Sequence, residues 1–491
     1  MKKILLSFTF LLACFAGFAQ DVPQNVLDAG LKVVSIVTVD SEEPTAESIA
    51  APEGSWGVGI TNVNKVPGRL KIFSPSGDVL YDSGDYEKKE SGMTIKVRGN
   101  TSARFPKKPF KIKLEKKADL LGRDDNDLRD KNWALLQDRD QLLVAGYNIG
   151  EWIGMHWAPS YEWVNVVING DYRGLYLLSE TVERNETARI RTEETGFIAE
   201  RDPYWWNENG EYINSCWNPQ FNWTMKYPDF EDLEPAQTEY IQGVLNNFEE
   251  IINTEDYEKM IDVDSFCRWV LAQDILGTID GGGTNFFIAK NDDTDESKLF
   301  VPVLWDVDSA LDAEGDWSAV HREKMISPLF ENENKAFLIH YISLYDQYAE
   351  EIFDKWQQEI DGYLTPAWDA FNRSSEMNNV RWPDGSDRIQ DSASDNSYIG
   401  EWIETRRVWL KNAVDELKEG VDTVEISPVE EEDFGMSVIN GVLVVRTAAS
   451  SMQVYTADGR LLYSGAQTDL QLPAKGLYVV KVGNKSRKLI Y

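Results

Sequence analysis

Leu276-Gly-Thr-Ile-Asp-Gly-Gly-Gly-Thr-Asn-Phe-Phe-Ile-Ala-Lys290, followed eight residues later by Leu299-Phe-Val-Pro-Val-Leu-Trp-Asp-Val-Asp308, is the stretch on which the reading of this chain turns. A glycine loop enters a short apolar strand, an acidic loop follows, and a second strand ends in two aspartates. Upstream the pattern is that of strands, and downstream it is that of helices. Short strands at such a junction predict an α+β chain of two lobes, and the cleft between lobes is where a site belongs.

Working upstream, Leu31 to Val39 is a β-branched run, Arg69 to Phe73 alternates, and Met93 to Arg98 leads into Gly99-Asn-Thr-Ser102. In Pro109 to Leu114, Phe110, Ile112 and Leu114 face one way while Lys111 and Lys113 face the other. Trp163 to Ile168 and Tyr172 to Leu178, joined through Asn169-Gly170, read as a hairpin. Asp140 to Met155 has helical spacing. Downstream, Tyr240–Ile252, Val263–Leu276, Phe337–Tyr363 and Ile399–Leu417 are amphipathic helices.

Four features meet around the junction: Asp280 with Asn285 across the glycine loop, Asp306 with Asp308, the loop Arg98-Gly-Asn-Thr-Ser102, and the pair Lys111 and Lys113. Phosphoryl transfer uses such a set. A Lys neutralises nucleotide phosphates, backbone N–H groups of a Gly/Ser/Thr loop cap them, an Asp orients the acceptor, and an Asn with a further Asp holds divalent metal. The Asp280-x4-Asn285 spacing equals that of the protein-kinase catalytic loop, and Asp306 follows a strand as the kinase metal-binding Asp does. Each piece alone is ordinary. Asp and Asn beside glycines are common loop residues, and alternating lysines commonly mark a solvated face. The EF-hand pattern fails at Asp306 and Asp308, because Ala310 and Leu311 stand where a ligand and a Gly are needed. Paired carboxylates for glycoside hydrolysis stay open.

The ordered conjunction resembles the CotH-type kinase family. It is carried by Val97-Arg-Gly-Asn-Thr-Ser102, Pro106-Lys-Lys-Pro-Phe-Lys-Ile-Lys-Leu114, Asn132-Trp-Ala-Leu-Leu136, Val166-Val-Ile-Asn-Gly170 and Gly174-Leu-Tyr-Leu-Leu-Ser-Glu180. Asp280…Asn285 and Trp305-Asp-Val-Asp308 complete it. The resemblance implies a two-lobed atypical protein-kinase-like fold preceded by β strands. It further implies ATP with Mg²⁺ or Mn²⁺ as cofactors, Asp280 as catalytic Asp, and Asn285, Asp306 and Asp308 as metal ligands. Lys111 or Lys113 would meet phosphate, with Arg98, Asn100, Ser102 and Glu180 in the nucleotide set and Glu151 as the partner of the lysine. Thr278-Ile279 replaces the usual His-Arg before the catalytic Asp, and Val307-Asp308 replaces Phe-Gly. The Arg98 loop lacks the three-glycine spacing.

Composition bounds the partners. The chain has 491 residues, too many for one core at roughly 100–200 per domain. Lys+Arg 49 against Asp+Glu 83 gives a net charge of −34, which repels nucleic acid and anionic lipid and favours cations or a basic protein substrate. No stretch after residue 20 has the ~20 uninterrupted apolar residues of a membrane span. Lys2, Lys3, the apolar run Ile4 to Phe18 and small residues near Ala19 read as a signal peptide over 1–20, with a lipoprotein site at Cys14 as the alternative. The expected fate is export to the periplasm, outer surface or medium. Cys216 and Cys267 read as two buried thiols or one bridge.

The expected domains are 21–97, a β region leading into the N-lobe; 98–418, the kinase-like core; 419–435, an acidic linker; and 436–491, a small β-sandwich. The last carries seven Lys/Arg against two Asp, a net +5. Its Val454-Tyr-Thr-Ala-Asp-Gly-Arg460 and Gly476-Leu-Tyr-Val-Val-Lys481, with Lys488, are similar to type IX secretion sorting domains of Bacteroidetes. The rival function is a non-catalytic binding module for envelope glycan or protein. It draws on the aromatics Tyr204, Trp205, Trp206, Trp217, Phe221 and Trp223.

Overall fold

Seven strands carry the first half of the chain in a computed structural model: β1 (Lys32–Thr38), β2 (Val66–Phe73), β3 (Met93–Val97), β4 (Phe110–Ala118), β5 (Asp130–Leu136), β6 (Tyr161–Ile168) and β7 (Asp171–Glu180). The structure describes residues 22–55, 57–60, 64–207, 212–218, 220–278, 280–281, 283–311, 319–383, 388–389, 393–422, 435–439, 442–446, 452–456, 460–466, 469–473, 477–482 and 485–490. The signal region 1–20 with Cys14, and linker residues 423–434, lie outside the described residues, whereas 419–422 continue the last helix.

The sheet runs β1-β6-β7-β5-β4-β3-β2, with an eighth short strand, Val79–Asp82, paired to β2, and closes where β2 pairs back onto β1. Only the β1–β6 seam is parallel, with Val34 beside Val166. Strands on both sides of residue 98 therefore share one sheet. Alternation fills the barrel-like interior with Val34, Ile36, Ile95, Ile112, Trp133, Val164 and Tyr176. The hairpin expected at Asn169-Gly170 forms, both residues taking positive φ (51° and 80°) as a primed turn requires.

The outer face of β5 to β7 is also apolar. Leu136, Trp163, Leu175 and Leu177 join the core of the helical half. That half holds α1 (Leu142–Ile153), α2 (Pro235–Ile251), α3 (Val263–Leu276), α4 (Ala336–Gly362), α5 (Asp369–Arg381) and α6 (Ala393–Asp422). Between them lies a sheet ordered β9-β8-β10-β11, from β8 (Phe197–Asp202), β9 (Asn222–Tyr227), β10 (Phe286–Lys290) and β11 (Leu299–Phe300). The strand expected over 299–305 is ladder-paired only at its start. Pro302 lacks an N–H for a ladder, and its carbonyl instead accepts from Trp157 N–H (2.9 Å).

Residues to Val421 make one compact unit with two main apolar clusters, one filling the barrel and one joining the barrel's outer wall to the helices. Asp422–Tyr491 is a second unit. Two antiparallel sheets of three and four strands enclose Leu443, Val445, Met452, Val454, Tyr478 and Val480, the core of a small β-sandwich. Cys216 and Cys267 are both free, the first exposed and the second buried. No helix among the described residues is long and apolar enough to cross a membrane.

Candidate active site

The glycine loop and the second aspartate motif meet through a side chain. Asn285 Nδ2 donates to the backbone carbonyl of Asp306 (3.1 Å). Both residues sit at φ 55°, in the left-handed region that Asn and Asp tolerate better than most side chains. Asp280 opens the loop, its carbonyl accepting from the N–H groups of Gly283 (3.1 Å) and Thr284 (3.0 Å). At the loop's entrance the Thr278 hydroxyl donates to Gln273 Oε1 at the end of α3.

Asp306 lies on the floor of a cleft of about 480 Å³. Arg98, Ser102, Gln137, Asp138 and Asp308 also line it, and Leu136, Leu142, Leu143 and Leu311 supply apolar wall. The surrounding protein pushes the Asp306 carboxyl above the ordinary carboxylate range. Arg98 opposes that shift, and the charges of Glu200 and Asp280 add to it. Arg98 also lies 5.6 Å over the Trp305 ring, and Tyr147 stacks on the same indole at 5.9 Å. Asp280, Asn285, Asp306 and Arg98 thus form one electrostatic group beside the cleft, with Asp308 on its wall.

The other expected residues stand elsewhere. Because Phe110, Ile112 and Leu114 fill the barrel, alternation sends Lys111 and Lys113 to the outer surface. Lys111 pairs with Glu183 (3.0 Å), and neither lysine lines the cleft, where the cations are Arg98 and Arg139. Glu151 is exposed on α1. Glu180 is buried and accepts from Arg123 Nη2 (2.8 Å) and Ser160 N–H (3.0 Å), a structural role. Asn100 accepts from Asn207 Nδ2 (3.2 Å) and turns from the cleft lining. Of the aromatic stretch, Tyr204, Trp205, Trp206, Trp217 and Phe221 are half-buried. Trp223 is fully buried, and Trp217 Nε1 donates to the carbonyl of Glu249.

Two groups escaped the sequence reading. Gln137 to Asp140 connect β5 to α1 along the cleft, and Asp138 receives the N–H groups of Leu143 (3.1 Å) and Val144 (3.0 Å) as a helix cap. The run Gln137-Asp-Arg-Asp-Gln141 between two apolar segments was the available signal. Asp274, buried in the last turn of α3, accepts from His321 Nδ1 (2.7 Å) and the Tyr341 hydroxyl (2.6 Å). The attraction of His321 and these bonds hold its carboxyl below the ordinary range despite burial.

Among the described residues no three His, Cys, Asp or Glu side chains hold a metal site by themselves. The donors still fit Mg²⁺ or Mn²⁺. Such ions take hard oxygen ligands, usually one or two carboxylates completed by substrate phosphates and water. Asp306, raised first by desolvation and further by Glu200 and Asp280, is a carboxylate whose ionised form a divalent cation would favour.

No curated protein matches the chain. The family model of CotH kinase proteins matches residues 95–410, from the strand before Arg98 to the middle of α6. With the glycine loop, Asp306 and the cleft all inside that span, the chain belongs to the CotH kinase family.

Proposed function

We propose that this protein is an exported atypical protein kinase that transfers the γ-phosphoryl group of ATP to a hydroxyl of an envelope or secreted protein. The observation that carries the reading is the bond from Asn285 to Asp306, which holds the two motifs together beside Asp280. Asp280 orients the acceptor hydroxyl and takes its proton. Arg98, rather than Lys111 or Lys113, faces the phosphates across the cleft, with Ser102 beside it. Asn285 and Asp306, with Asp308 near the cleft wall, are the residues that would hold Mg²⁺ or Mn²⁺. Bound there, the ion would neutralise charge on the phosphoryl oxygens. A net charge of −34 suits a basic protein acceptor. The signal-like residues 1–20 support export, and the basic sandwich after residue 435 supports sorting to a surface.

Purified protein with labelled ATP and Mn²⁺ or Mg²⁺ is expected to incorporate phosphate. Asp280→Ala and Asp306→Ala are each expected to lose at least about 100-fold in rate while unfolding cooperatively. Equal incorporation by both variants overturns the reading.

A further inference from the structure

Arg201 is the last residue but one of strand β8, paired opposite Phe286, the residue after Asn285. It is 5% exposed. Its Nη1 donates to the carbonyl of Gly283 (3.2 Å) and lies 3.6 Å from Met325 Sδ. The guanidinium is 5.7 Å from the Trp217 ring and 5.1 Å from the Phe221 ring. Its Nε has no hydrogen-bond partner among the described residues. The neighbouring carboxylate Glu200 is engaged by Lys226 (2.7 Å), and Glu249 attracts Arg201 only from longer range. Burial lowers its pKa, so the folded state carries this charge at a cost.

Packing does not require an arginine here. Methionine would fill the slot between Trp217 and Phe221 without a charge. The directed hydrogen bond that methionine would lose is the one to the Gly283 carbonyl, in the middle of the loop. The loop's start is held by Gln273 on Thr278, and its end by Asn285 on Asp306. We propose that Arg201 is a positioning residue that fixes the middle of the Asp280–Asn285 loop from behind, so that Asp280 and Asn285 keep their relation to Asp306. This inference rests on the reading of Asp280 and Asn285 as working residues. It adds a group outside the cleft that never touches nucleotide.

The test compares wild type, Arg201→Met and Arg201→Lys in the full chain by hydrogen exchange, thermal unfolding and steady-state kinetics with Mn²⁺-ATP. Arg201→Met is expected to unfold at the wild-type temperature or above. Its amides over 280–286 should exchange about tenfold faster, as loss of one charge-assisted bond predicts. Its kcat should fall on the order of 100-fold with the KM for ATP little changed, because a displaced loop misplaces the reacting groups. Arg201→Lys should recover part of both. Unchanged loop exchange in Arg201→Met overturns the proposal, and so does faster exchange throughout the helical half with a lowered unfolding temperature in both variants. Should the wild type transfer no phosphate, the kinase reading fails while the exchange result still decides the role of Arg201.

Discussion

Asp138 shows what one carboxyl does inside this cleft. Burial pushes it up to about 7 from the ordinary 3.8, outweighing the backbone N–H groups of Val144 and Leu143 that favour its charged form. Between those two values the native chain keeps a proton that the unfolded chain has released. Stability therefore declines as pH rises through that window and levels off above about 7. Asp138→Asn has no such proton, so its unfolding temperature should fall less steeply than that of wild type from pH 5 to 7. The two slopes should converge above that. The difference should reach roughly 2–4 kcal/mol, the scale of a shift of two to three pKa units. Parallel pH profiles of the two proteins would show that Asp138 stays ionised. Nothing in the sequence marks Asp138 for this, since its behaviour comes from a helix end and a barrel wall that meet only in the fold.

At the scale of elements, helix α1 touches the site through a missing side chain. A methyl added at Gly146 would land on Val307, which sits between Asp306 and Asp308. Gly146→Ala gains about 1 kcal/mol in helix propensity but meets an overpacking cost of roughly 1–3 kcal/mol. The relief available is a shift of the Asp306–Asp308 segment. Mn²⁺-ATP affinity, measured by calorimetry, should drop about tenfold, with a small change in unfolding temperature. The double variant Gly146→Ala with Val307→Ala should restore it, and failure of that rescue would separate Gly146 from the site. Most elements were legible in the sequence. Val263–Leu276 matched α3 residue for residue, and Asn169-Gly170 turned where expected. That the glycine loop and the Asp306 motif lie together was legible from their order along the chain, and the Asn285–Asp306 bond joins them. Alternation says that Lys111 and Lys113 share a face without saying which face meets the cleft, and neither lines it. Closure of the sheet was hidden too, since it depends on a parallel pairing between residues 32–36 and 164–168.

Across the whole molecule the chain divides into two compact units at residue 422. Asp422–Tyr491 owns a separate core around Val454, Tyr478 and Val480. Removing residues after Asp422 should leave the unfolding transition and ATP binding of the first unit unchanged while altering where the protein accumulates. Calorimetry on the truncated chain checks the first half of that statement, and fractionation of producing cells checks the second. A truncated protein that unfolds early, or reaches the same place as the full chain, would be a result against it.

The parallel seam of the barrel also sets an order of events during synthesis. Lys32–Thr38 leaves the ribosome early and finds its first partner, Gly68–Phe73, within about forty residues. Its other edge waits for Tyr161–Ile168, more than a hundred residues later. Until then the nascent chain carries a β-branched strand with one open side, which any threading machinery or chaperone could hold. The barrel can close only once the hairpin has emerged, so its parallel seam is sealed after the antiparallel pairing of the same strand.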